Sequence, residues 1–217
     1  MMAPLRPAAS AQAPASGPGS DPGVAGNARL TAATGLVLLA LFLAEIATDI
    51  LGVADVLTAH VLIGVMLTPP VLVKLGSTSW RIVHYYRGDA AYVERGAPRP
   101  FLRILGPILA LLTVVLLGSG FLAFYAHGGL YTASIKTHKV VFYLWLLATC
   151  AHVVPHFAKA VSLALTDLSV RSRLAVPRAA TRQTVIIAAL VLGAVLGIVL
   201  SGHVGGYFHD NPLRVHL

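Results

Sequence analysis

The stretch ILGPILALLTVVLLGSGFLAF, Ile104 to Phe124, contains no charged side chain and no polar stripe. A helix in a soluble core would place polar residues every three or four positions, whereas a helix apolar all the way round has lipid as its natural solvent. Comparable stretches run from about Leu30 to Leu51, Val56 to Val73, Val140 to Ala158 and Thr184 to Ser201. Each approaches the roughly 20 residues that cross a bilayer. The sequence therefore predicts an all-α, polytopic membrane bundle of five transmembrane helices, at about 30–51, 56–76, 103–126, 137–160 and 182–202. Pro69, Pro70 and Pro107 fall inside these spans, where neighbouring helices can satisfy the carbonyls that proline frees. With 57% hydrophobic and 11% charged residues, the chain as a whole is one that lipid solvates better than water.

The flanks read differently. Residues 1–28, rich in Pro, Ala, Ser and Gly, predict a disordered tail, and 204–217 a short tail on the other side of a five-helix domain at 29–203. Thirteen of the sixteen Lys and Arg lie in the amino-terminal tail and in the second and fourth connections. The positive-inside rule then places the amino terminus in the cytoplasm and the carboxyl terminus outside a cell membrane. The net charge of +8 accordingly suits loops facing anionic lipid, and nucleic acid is not an expected partner. The 79–100 connection interleaves Trp80, Tyr85, Tyr86 and Tyr92 with arginines, as a segment at headgroup level would.

A single cysteine, Cys150, excludes an intramolecular disulfide, a covalent haem attachment and a four-cysteine iron–sulfur site. No connection is long enough for a flavin or nucleotide domain, so chemistry would rest on histidine, carboxylate or a non-covalent cofactor. Four histidines fall within or at the ends of spans, all on the second and fourth: His60, His138, His152 and His156. An imidazole in the membrane is costly unless paired and marks a candidate site. At 100° per residue, His138, His152 and His156 share one stripe, with His138 and His152 about 21 Å apart along the axis. Because the second and fourth spans run in the same direction, His60 and His138 come to similar depth near the outer surface. Two imidazoles facing each other at one depth are what a six-coordinate haem iron requires.

With this pattern, and with the strings PPVLVKLGST, RIVHYYRGD, HKVVFYLW and HVVPH, the chain resembles the membrane b-type cytochromes, including the bacterial cytochrome b and ferric-reductase families. It is also similar to a group of uncharacterised bacterial integral membrane proteins. The likeness covers about Val56 to Lys159. It implies an electron-transfer subunit holding non-covalent haem b between the second and fourth spans, with His60 and His138 as iron ligands and a redox partner protein or quinone supplying or taking electrons. A di-haem member would carry a second histidine fourteen residues after His60, where this chain has Lys74, so one haem is expected rather than two. Lys74 reads either as a lysine snorkelling to the interface or as a partner for a haem propionate or quinone headgroup near His152 and His156. The His152 and His156 pair has a spacing that can also start a metal site. Glu45 and Asp49, four apart on the first span, read as an ion pair with the outer histidines or as part of a proton path. Two other classes stay open: a cofactor-free scaffold or partner-binding subunit, and a transition-metal or proton transporter or sensor.

Overall fold

The computed structural model describes residues 21–96, 100–166 and 178–202. Among these it is an all-α helical bundle without strands. In chain order the helices are α1 (Pro22–Leu51), α2 (Leu57–Tyr86), the short α3 (Ala90–Glu94), α4 (Pro100–Tyr125), α5 (Gly128–Val153), α6 (Phe157–Thr166) and α7 (Ala179–Ser201). Helices α1, α2, α4 and α7 are each long and apolar enough to cross a membrane, and α5 with α6 makes up to a fifth crossing. The chain is thus built as a multi-pass membrane protein.

Three boundaries depart from the sequence reading. Helix α1 begins at Pro22, so the expected tail at 1–28 gives way to helix before it ends. The cause is local: the Asp21 carboxylate accepts from the backbone N–H of Gly23 at 2.8 Å and of Val24 at 2.9 Å, and Pro22 opens the helix where its missing N–H costs nothing. The expected continuous span 137–160 is instead broken. Helix α5 starts at Gly128 and ends at Val153, and the axis turns by 67° into α6. Pro155 sits in the turn, where its ring and its missing N–H stop the ladder, and α6 folds back against α1. Helix α2, finally, runs to Tyr86, well past the end expected at 76. At 1.5 Å per residue its 30 residues make about 45 Å, more than the roughly 30 Å of hydrocarbon, so its last turns stand in the headgroup layer. The expected tail at 204–217, with His209 and His216, and His203 just before it lie outside the described residues.

Helix α2 is the centre of the bundle and packs on α1 and α7, while α5 packs chiefly on α4. The α2–α7 contact depends on two glycines. A Cβ on Gly193 would lie 2.5 Å from the carbonyl oxygen of Met66, and one on Gly197 2.6 Å from that of Leu62. The spacing is GxxxG, which lets two backbones approach closely. Pro70 is buried inside α2 and cannot donate to Met66, four residues earlier, so this carbonyl is left free within the helix. Gly193 brings the α7 backbone against that carbonyl, and Cα–H contacts of this kind recur at close helix crossings.

The apolar core is small because most side chains face lipid. Leu38, Leu67 and Val71 form it, with Leu41, Phe42, Leu75 and Leu117 packed around them. Phe42 of α1 meets Trp145 of α5, ring centres 4.4 Å apart, and the Trp145 indole donates to Thr113 of α4 at 3.0 Å. This layer ties the α1–α2 pair to the α4–α5 pair. Single-cysteine labelling in a Cys150→Ser background checks the orientation: Thr132→Cys is expected to react with an impermeant reagent from the outside and Arg87→Cys only from the cytoplasm. The reverse pattern would overturn the positive-inside assignment.

Candidate functional site

Two polar clusters sit at different depths along α2 and α5. His60 and Lys74 are fourteen residues apart on α2, and His138 and His152 are fourteen apart on α5. Each interval is about 21 Å of helix rise.

The outer cluster brings His60 and His138 together. Their ring centres are 6.2 Å apart with the planes at 77°. Although α2 and α5 were expected to pack side by side, their main neighbours are other helices, and the two imidazoles reach across the space between them. Each ring is fixed through its Nδ1. On the α2 side, His60 Nδ1 lies 2.9 Å from the Thr48 hydroxyl and 3.2 Å from a Glu45 carboxylate oxygen. The Thr48 hydroxyl gives its own proton to the Glu45 backbone carbonyl at 2.6 Å, so towards His60 it accepts. On the α5 side, His138 Nδ1 lies 2.9 Å from the carbonyl oxygen of Leu116, which can only accept. The Ser119 hydroxyl, 3.2 Å from the same nitrogen, likewise donates to the Leu116 carbonyl, at 2.9 Å. In both rings the partners assign the proton to Nδ1 and leave a lone pair on Nε2.

Glycines make room for this arrangement. A Cβ on Gly120 would stand 3.1 Å from the His138 ring, and one on Gly64 3.2 Å from the Glu45 carboxylate. Asp49, one turn beyond Glu45, is within electrostatic reach of His138. Of the expected outer residues, Glu45, Asp49, His60 and His138 therefore converge. Sequence reading missed Thr48, Ser119 and the Leu116 carbonyl, which hold the rings. Thr48, three residues after an intramembrane carboxylate, and Ser119, between two glycines in an apolar span, are the signals that could have shown the side-chain pair.

The inner cluster is less closed. The Lys74 ammonium donates to the Thr31 carbonyl of α1 at 2.6 Å rather than snorkelling outward, over Gly35, where a Cβ would meet it at 2.8 Å. Ser77 and Thr31 join in: Thr31 donates to the Ser77 hydroxyl at 2.9 Å, and Ser77 to the Lys74 carbonyl at 3.0 Å. Lys74 is within electrostatic reach of His152, whose buried Nδ1 has no hydrogen-bond partner. The break at Pro155 carries His156 off the helix into the turn. Its Nδ1 lies 3.1 Å from the His152 carbonyl, and the two rings stack with centres 5.2 Å apart. Lys74 and His152 thus lie too far inward to serve the outer histidines. Among the described residues no group of three or more His, Cys, Asp and Glu gathers as a metal site.

No protein-family model, curated protein or solved structure matches this chain, so any functional reading rests on the site itself.

Proposed function

We propose that the protein is a multi-pass electron-transfer subunit of a cell membrane in which one b-type haem would sit between α2 and α5, held by His60 and His138. The observation that carries the reading is the matched fixing of the two rings: each Nδ1–H has an acceptor and each Nε2 keeps a lone pair, on rings whose centres are 6.2 Å apart. Imidazole nitrogens bind metals at about 2 Å, so rings on opposite sides of one ion have centres about 6 Å apart. Second-shell acceptors on the distal ring nitrogen are what histidine ligands ordinarily use. A haem b held there would supply a one-electron couple at its iron. Glu45 places a carboxyl oxygen beside His60 Nδ1, a second acceptor that helps to orient the ring. Lys74 and His152, at the inner end, are the groups to meet a quinone headgroup or a redox partner protein.

The deciding measurement is a reduced-minus-oxidised visible spectrum of the purified chain, with a b-type band expected. Glu45→Gln gives a finer check. The amide keeps an acceptor oxygen and Thr48 still holds the ring, so the band is expected to stay with little change in reduction potential. Loss of the band would contradict this account of how the His60 ring is held.

A further inference from the structure

Where α2 leaves the apolar layer, its last turns, α3 and the start of α1 form a second polar site that the electron-transfer reading does not use. Arg81 of α2 and Arg95, just after α3, lie within electrostatic reach of each other and Arg81 within reach of Tyr92. Both arginines are only partly exposed. Arg95 is held over the helix start by donating to the Val24 carbonyl at 3.4 Å. Among the described residues no carboxylate pairs with either guanidinium. Of the nearby acids, Asp89 is taken by the His84 imidazole, and exposed Glu94, next to Arg95 in sequence, forms no ion pair with either guanidinium.

Aromatic contacts tie the surroundings together. Trp80 donates its indole N–H to the Tyr92 hydroxyl at 3.0 Å, and the His84 ring lies between them, 4.2 Å from Trp80 and 5.2 Å from Tyr92, ring centre to ring centre. This aromatic stack clamps α3 to α2 and so fixes Arg95 relative to Arg81. Two like charges held together, half out of water and without a counter-ion, need an anion, and two guanidinium forks suit the oxygens of a phosphate. The collar around them is lipid-facing: Trp80 is 56% exposed and Tyr86 76%, with Ile82 and Val83 beside them. Exposed Trp and Tyr at the end of a spanning helix belong at headgroup depth.

We infer that Arg81 and Arg95, positioned by the Trp80–His84–Tyr92 stack, form a binding site for the phosphate of an anionic phospholipid in the cytoplasmic leaflet. The occupant is a lipid rather than an acidic protein because the site lies in the headgroup layer, within an apolar and aromatic rim, on the side where anionic lipid concentrates.

The test is native mass spectrometry of the full chain, delipidated in neutral detergent and titrated with phosphatidylglycerol or phosphatidylcholine. The first phosphatidylglycerol is expected to bind about tenfold more tightly than phosphatidylcholine, and Arg81→Gln with Arg95→Gln to remove that preference. Arg87→Gln, exposed and outside the pair, is expected to keep it. Arg81→Lys with Arg95→Lys retains both charges, and with them the local fold, and is expected to bind several-fold more weakly because the forked donors are lost. Binding by the lysine pair equal to that of the wild type, or an unchanged preference in the glutamine pair, would overturn the site. Displacement of phosphatidylglycerol by millimolar inorganic phosphate would reassign it to free phosphate, and selective binding of an acidic peptide with no lipid preference would reassign it to a protein partner. Both outcomes refute the lipid assignment.

Discussion

Replacing either His60 or His138 with alanine is expected to abolish the b-type absorption band of the purified protein, a complete loss rather than a shift. Each ring is held independently, His60 by Thr48 and Glu45 and His138 by the Leu116 carbonyl, so the remaining imidazole cannot swing across to replace its partner. A haem held by both rings would then lose one of the two residues that would hold it. His152→Ala is expected to leave the band in place, since that ring lies about 21 Å of helix rise further in. A pyridine haemochrome assay is expected to give one haem per chain. Two haems would bring Lys74 and His152 into ligation, and a wild-type protein without any band would move the reading to a cofactor-free scaffold.

The second large effect is expected at the α2–α7 crossing. Gly193→Leu places a branched side chain where even a methyl group would sit 2.5 Å from the Met66 carbonyl oxygen, and that oxygen belongs to backbone, which cannot move aside alone. Overpacking of a tight contact costs about 1–3 kcal/mol even for a small addition. Leucine at Gly193 is therefore expected to separate the helices, lowering the thermal unfolding midpoint in detergent by many degrees or preventing a stable bundle. Gly193→Ala is expected to fall in between. By contrast, an added methyl group at Gly76, on the central helix α2, would meet no atom within 4 Å, and Gly76 is expected to accept alanine without loss. Equal stability of the Gly193 and Gly76 variants would remove the close crossing.

The bundle itself was legible because lipid-facing helices need no pattern beyond apolarity and length, and runs such as Ile104 to Phe124 supply both. The meeting of His60 and His138 could also be anticipated, since parallel spans with known ends put equal distances from the surface at equal depth. What stayed hidden depended on contacts between segments far apart in sequence. The Gly193 and Gly197 pair gains meaning only when the carbonyls of Met66 and Leu62 lie against it. The Leu116 carbonyl that holds His138 is one backbone group among many until the ring approaches it. Two misreadings were local and avoidable: Asp21–Pro22 is a helix-start signal, and Pro155 is a stop that an unbroken apolar span passed through.

The layer of Leu38, Phe42, Leu67 and Trp145 lies between the outer histidines and the inner Lys74–His152 pair, with Leu67 and Trp145 each seven residues from the polar groups above and below them on their own helices. The indole N–H of Trp145 is already spent on Thr113, which leaves the layer itself largely apolar. An electron can tunnel through packed hydrocarbon and aromatic rings, while a proton needs a hydrated or hydrogen-bonded chain. The layer is thus an apolar stretch between two polar ends. In a membrane, a charge crossing such a layer would meet about 2.3 kcal/mol for each 100 mV crossed. For a chain that passes electrons, membrane potential would then set which end they favour.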